Sequence, residues 1–157
     1  MLSKSSADDF RLPDTAHPRI RKFYELWCAK AGKDLPKSSD FDLAALSAEY
    51  PLLARIAVDE PDETLIWRDL AATQAWPFGP PVEGRPVVEA VPPTSVKRVI
   101  AAFRETLASG IPDYFETTQW MHGGRTLSLV RLVAPLVAGA GIELIALWEV
   151  MEPPDSA

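Results

Sequence analysis

Cysteine is nearly missing from this chain, Cys28 being the single one. One thiol closes no internal disulfide and builds no thiolate metal cage, so the protein needs no oxidising compartment. Histidine is almost as scarce: His17 and His122 stand far apart, neither in an HExxH or CxxC context, and no metal site is expected. The GxSxG, GxxxxGK[ST] and GxGxxG patterns are missing too, which removes the usual mechanical parts of hydrolases, NTPases and dinucleotide enzymes. Basic charge is in deficit, with 16 Lys and Arg against 22 Asp and Glu for a formal charge of −6. Nucleic-acid readers gather Lys and Arg on one face, so nucleic acid is set aside as a partner. No apolar run approaches the ~20 residues that span a bilayer, and the polar start Met1-Leu2-Ser3-Lys4 lacks a signal-peptide core. No membrane association is expected, and the chain is read as cytoplasmic.

What is present suits one folded domain. Of 157 residues 47% are hydrophobic and 24% charged, enough apolar surface to offset the entropy of ordering. Residues 1–16 are polar and aperiodic and read as a mobile leader; 17–34 form an N-terminal amphipathic helix; 35–152 make the main domain. In the helix, Ile20, Phe23, Tyr24, Trp27 and Ala31 recur at helical spacing, Pro18 suits the first turn and Gly32 the stop. Arg19, Arg21 and Lys22 oppose the helix dipole, so packing of the aromatic stripe must stabilise it. That stripe either docks on the chain's own core or also forms a homodimer contact through Ile20, Phe23, Tyr24 and Trp27.

Asp40–Leu46 reads as a short helix. Strands follow at Leu53–Val58 and Thr64–Leu70, then a Pro-rich loop or lid from Pro77 to Pro93 with room for one helical turn near Ala71–Trp76. Thr94 is placed to cap a helix whose Val96, Val99, Ile100, Phe103 and Leu107 share a face, with Gly110 as its stop. Three strands close the chain, Asp113–His122, Arg125–Val137 and Ile142–Met151, as an antiparallel meander. A two-residue turn at Gly123-Gly124 pairs Trp120 with Leu127 and Glu116 with Arg131; the next turn pairs Arg131 with Trp148. Tyr114, Trp120, Leu127 and Leu129 then share one face, with Phe115, Met121, Val130 and Leu132 on the other. Large apolar groups on both faces imply cover on both, by the Val96–Leu107 helix on one side and the Trp27 helix or another subunit on the other.

This order of elements, together with Phe23-Tyr24-Glu25-Leu26-Trp27, Leu35-Pro36-Lys37-Ser38-Ser39-Asp40-Phe41-Asp42, Ile66-Trp67-Arg68, Glu83-Gly84-Arg85, Ser109-Gly110-Ile111-Pro112 and Ala134-Pro135-Leu136, resembles the PAS superfamily. In particular it resembles short bacterial PAS-like chains with a Trp-bearing helix ahead of the domain. The resemblance implies an α+β fold, a five-stranded antiparallel sheet with helices on one face and the extra N-terminal helix, and a sensory or interaction role. Flavin photosensors of this superfamily place a cysteine on the helix after the second strand and haem sensors a histidine on the long helix. This chain has neither, so a covalent flavin adduct and haem are not expected, and the cofactor stays open.

Glu116, Arg131 and Trp148 form the leading polar cluster, a carboxylate facing a guanidinium that stacks on indole. It is either a structural cross-strand pairing or an anchor for a carboxylate-bearing or aromatic ligand. Trp76 in the irregular segment and Trp120 complete the ligand-binding candidates, whereas Arg85 is read as a brace for its loop. The favoured function is a standalone sensory or interaction domain signalling through a small-molecule ligand, a homodimer or a separate signalling protein, with no effector after residue 151. The alternative is a small cone-shaped enzyme of the nuclear-transport-factor-like fold, with Glu116 and His122 as acid and base.

Overall fold

A computed structural model describes residues 10–31, 34–59, 63–71, 81–91, 93–122, 125–139 and 141–151, with backbone alone at 117–122, 125–127 and 151. Helix α1 spans Pro18–Ala31, a short α2 Leu43–Leu46 and a long α3 Val96–Ser109. The strands are β1 Leu53–Asp59, β2 Thr64–Leu70, β3 Asp113–His122, β4 Arg125–Ala138 and β5 Gly141–Met151. All five join one sheet in the order β2-β1-β5-β4-β3, and every neighbouring pair is antiparallel. The protein is therefore an α+β fold on a five-stranded antiparallel sheet. Among the described residues no helix is long and apolar enough to cross a membrane.

Period-two alternation in β4 and β5 divides the interior into two cores. Leu129, Val133, Leu144, Ala146 and Trp148 pack on one face with Val99 and Phe103 of α3. On the opposite face Val130, Leu132, Ala134, Ile145 and Leu147 pack with Ile20, Phe23 and Trp27 of α1 and Leu43 of α2. Cover on both faces is thus present, and both layers come from the same chain. The aromatic stripe of α1 is used in its own core: Ile20, Phe23 and Trp27 are 0% exposed, and the Trp27 indole N–H donates to the Pro135 carbonyl at 3.1 Å. Of the stripe only Tyr24 is partly open, so the expected homodimer contact through all four side chains is not available while α1 is docked.

Local signals explain the ends of the helices. Gly110 adopts φ 73° and its N–H donates to the Thr106 carbonyl, stopping α3 as expected. Asp42 accepts from the Ala45 N–H and opens α2. Thr94 does not cap α3: it lies within a 3₁₀ turn, Pro93–Ser95, and Ser95 takes the cap position. The leader also differs from expectation. Part of residues 10–16 is held against the domain: Phe10 and Leu12 pack on the α1 core, the Phe10 ring is edge-on to Tyr24 at 5.4 Å, Ala16 is buried and the Pro13 carbonyl accepts from Arg21 at 2.5 Å, while Arg11 and residues 13–15 are exposed.

The largest departure lies in β3. Trp120 faces Leu127 as the turn demands, but a bulge between Phe115 and Thr118 shifts the register, so Arg131 faces Phe115 and not Glu116. An extra residue on one strand exchanges the faces of everything beyond it. Tyr114 accordingly packs on the α1 side with Val130 and Leu132, while Phe115 joins Arg131 on the α3 side, the reverse of the expected assignment. Arg131 does face Trp148. The turn near Ala71–Trp76 lies mostly outside the described residues.

If α1 is an integral layer, Trp27→Ala should cost about 3–5 kcal/mol by emptying a core site. It would also orphan the Pro135 carbonyl. Urea unfolding would measure the loss, and a change under 1 kcal/mol would show that α1 packs only superficially.

Candidate functional site

The most unusual polar group of the described interior is the Arg131 side chain, 2% exposed in the middle of β4. Neighbouring elements converge on it. Phe115 comes from β3 and Trp148 from β5, each directly opposite Arg131, and α3 lays Phe103 across the same face. The guanidinium carbon stands 5.2 Å from the Phe103 ring centre and 5.6 Å from that of Phe115. Arg98, exposed on α3, places a second guanidinium 5.1 Å from the Phe115 ring. Trp148 extends the aromatic wall, 6.3 Å from Phe103 and 5.9 Å from Trp67.

This cage holds a cation with little anionic compensation. Arg131 Nη2 donates to Asp113 Oδ2 at a long 3.4 Å, the Asp113 side chain is 42% exposed, and Arg131 Nε has no partner. Burial pulls the guanidinium pKa down, and Arg98 adds to that, while Asp113 holds it up. A guanidinium remains charged at neutral pH even so. The result is a buried cation whose one carboxylate partner among the described residues reaches out to solvent.

The other face carries the inverse arrangement. Glu149, next along β5 from Trp148, is 8% exposed beneath the start of α1, where Oε2 accepts from Arg19 at 3.3 Å and Oε1 has no partner. Burial raises the Glu149 pKa and Arg19 lowers it. Above the pair opens a recess of about 330 Å³ lined by His17, Pro18, Arg19, Lys22 and Glu49. The buried Tyr50, next to Glu49, is pushed up to about 12 by burial and by its hydrogen bond to Glu49.

Of the residues expected to act together, the fold joins Arg131 and Trp148 and separates Glu116. The Glu116 carboxylate accepts from the Tyr114 hydroxyl at 2.7 Å on the α1 side, and that hydroxyl is pushed up to about 12, by burial first and this bond second. Glu116 is therefore no partner of Arg131. Trp76 and the side chains of Trp120 and His122 lie outside the described residues. Arg85 does brace its loop: it forms a bidentate pair with Glu89 at 3.0 and 2.6 Å, and its carbonyl accepts from the Trp67 N–H at 3.1 Å. Beside it a recess of about 320 Å³ is lined by Trp67, Pro81, Val82, Arg85, Pro86, Glu89 and Ala90. Among the described residues no three His, Cys, Asp or Glu side chains gather as a metal centre would need.

Asp113, Phe103 and Arg98 around the cage, and the Glu149–Arg19 pair, escaped the reading of the sequence. A signal existed for Glu149, a lone carboxylate in an apolar strand with cover on both faces. None existed for Asp113, whose approach to Arg131 depends on the bulge. The chain matches no family model, no curated protein and no solved structure.

Two consequences concern these charges. A folded Glu149 pKa above the unfolded one means the native state binds the proton more tightly, so stability falls as pH rises through that window and is unaffected below it. Glu149→Gln should therefore melt above the parent at pH 7.5 and together with it near pH 3; a lower melting point at pH 7.5 would show that the Arg19 pair outweighs burial. Arg131→Met keeps most of the volume and removes the buried charge, so it should leave stability unchanged or raise it by about 1–3 kcal/mol. Chemical denaturation would read this, and a loss above 2 kcal/mol would make Arg131 a structural requirement.

Proposed function

We propose that this chain is a PAS-like sensory and interaction domain, and that Arg131 is the anchor for a small carboxylate-bearing ligand. The order of elements supports the first part: helix, short helix, two strands, irregular segment, long helix and three strands, with all five strands in one sheet under α3. The second part rests on one observation, a buried guanidinium with an unpartnered Nε whose one carboxylate contact among the described residues is long and leads to a half-exposed Asp113. A ligand carboxylate replacing Asp113 would gain a charge-assisted, potentially bidentate pair in a low-dielectric aromatic cage, with Arg98 beside it. Asp113 marks the way in, because among the described residues it is the carboxylate that joins the cage to solvent.

A route to an output follows from β5. Trp148 belongs to the cage and Glu149, one residue on, belongs to the pair that holds the start of α1. A ligand that shifts Trp148 biases the Arg19 contact on the opposite face, so α1 is the element whose docking reports occupancy. A separate signalling protein, or a second copy, would read α1 through its exposed Lys22, Glu25, Ala29 and Lys30.

Tryptophan fluorescence titrated with short aliphatic and aromatic carboxylates and with their amides tests the reading. Acids should bind at least tenfold more tightly than the matching amides, a difference of about 1.4 kcal/mol or more. Arg131→Met should abolish that preference in a folded protein. Equal binding of acid and amide, or a preference that survives Arg131→Met, would overturn the assignment.

A further inference from the structure

Two margins of the sheet are met by other segments of the described chain. Along the outer side of β2 runs segment 84–86: the Gly84 N–H donates to the Trp67 carbonyl at 2.7 Å, the Trp67 N–H to Arg85 at 3.1 Å, and Ile66 bridges Pro86. Where β4 extends past β3, residues 36–37 take its edge, the Val137 N–H donating to the Pro36 carbonyl at 2.8 Å. Among the described residues nothing pairs with the outer side of β3, a ten-residue strand at the end of the sheet. Such an edge presents a row of backbone donors and acceptors, and Asp113–His122 contains neither Pro nor Lys to discourage pairing.

We infer that a second copy of this chain occupies that edge, two β3 strands pairing antiparallel about a two-fold axis between Thr117 and Thr118 to make one continuous ten-stranded sheet. A two-fold axis normal to a sheet pairs only residues of the same face, and in an unbroken strand this register would join opposite faces. The bulge between Phe115 and Thr118 changes the parity, so that positions 113, 115, 118, 120 and 122 share the α3 side and 114, 116, 119 and 121 the α1 side. In the register that engages the whole strand each pair then matches in face: Asp113 with His122, Tyr114 with Met121, Phe115 with Trp120, Glu116 with Gln119. Each is a compatible cross-strand combination by residue type, a carboxylate beside an imidazole at the ends and aromatic on aromatic within. Asp113, which also accepts from Arg131, has a side chain 42% exposed at that end of the strand. The bulge interrupts the ladder at its centre and leaves two arms of four residues, so the dimer is weak and dependent on concentration.

Sedimentation velocity over a wide concentration range, with hydrogen exchange at β3, tests this. The parent should show a monomer–dimer equilibrium, and the amides of 113–122 should gain protection as dimer forms. His122→Glu sets two like-charge contacts against Asp113 and should weaken the dimer roughly tenfold, whereas His122→Lys should tighten it several-fold. Both variants are checked for parental melting, and the Lys variant keeps the test informative if the Glu variant misfolds. A single-chain mass at every concentration, or a dimer that responds to neither substitution, would overturn the inference.

Discussion

Burial of β4 and β5 on both faces is the constraint from which the rest of the structure follows. The two strands pair along eleven consecutive positions, and nearly every residue in their middle is inaccessible to water. Two adjacent residues of such a strand belong to different cores, so each face needs its own apolar layer. Helix α3 supplies one and α1 with α2 the other. Neither helix is strongly favoured alone. The cationic first turn of α1 opposes its dipole, and only burial of Ile20, Phe23 and Trp27 against β4 and β5 makes it a stable element.

The same constraint gives the buried charges their meaning. A sheet covered twice leaves little place for an ion, yet each face holds one: Arg131 under α3 and Glu149 under α1. Both keep one atom without a partner, and both reach solvent through a single more exposed residue, Asp113 and Arg19 respectively. Buried ions with incomplete compensation reduce stability relative to apolar replacements. Arg131 faces Trp148 across the β4–β5 pairing and Glu149 follows Trp148 along β5, so the two ions sit one step from the same indole on opposite faces of the sheet.

Much of this was legible in the sequence, for identifiable reasons. Strand β2 and β3 begin and end where turn residues and apolar alternation place them, and Gly110 marks the end of α3 because a left-handed residue is needed there. Pairing near a tight turn was equally readable, so Trp120 meets Leu127 and Arg131 meets Trp148. Beyond the bulge the logic failed. Glu116-Thr117-Thr118 contains no glycine or proline to announce an extra residue, and a one-residue slip exchanged the faces of Tyr114 and Phe115 and substituted Asp113 for Glu116 beside Arg131. The stripe of α1 was visible as apolar, but what it covers depends on long-range packing, which periodicity does not report.

The central claim is that neighbouring residues of β4 serve separate cores with α1 and α3 as their lids. Residue-resolved nuclear Overhauser contacts in solution test it directly. The account predicts that Leu132 methyl groups contact aromatic rings of α1, that Leu129 and Val133 methyl groups contact Phe103, and that Tyr114 shares the first set. Contacts from Leu129 and Val130 to the same helix, or Tyr114 grouped with Phe103, would contradict it.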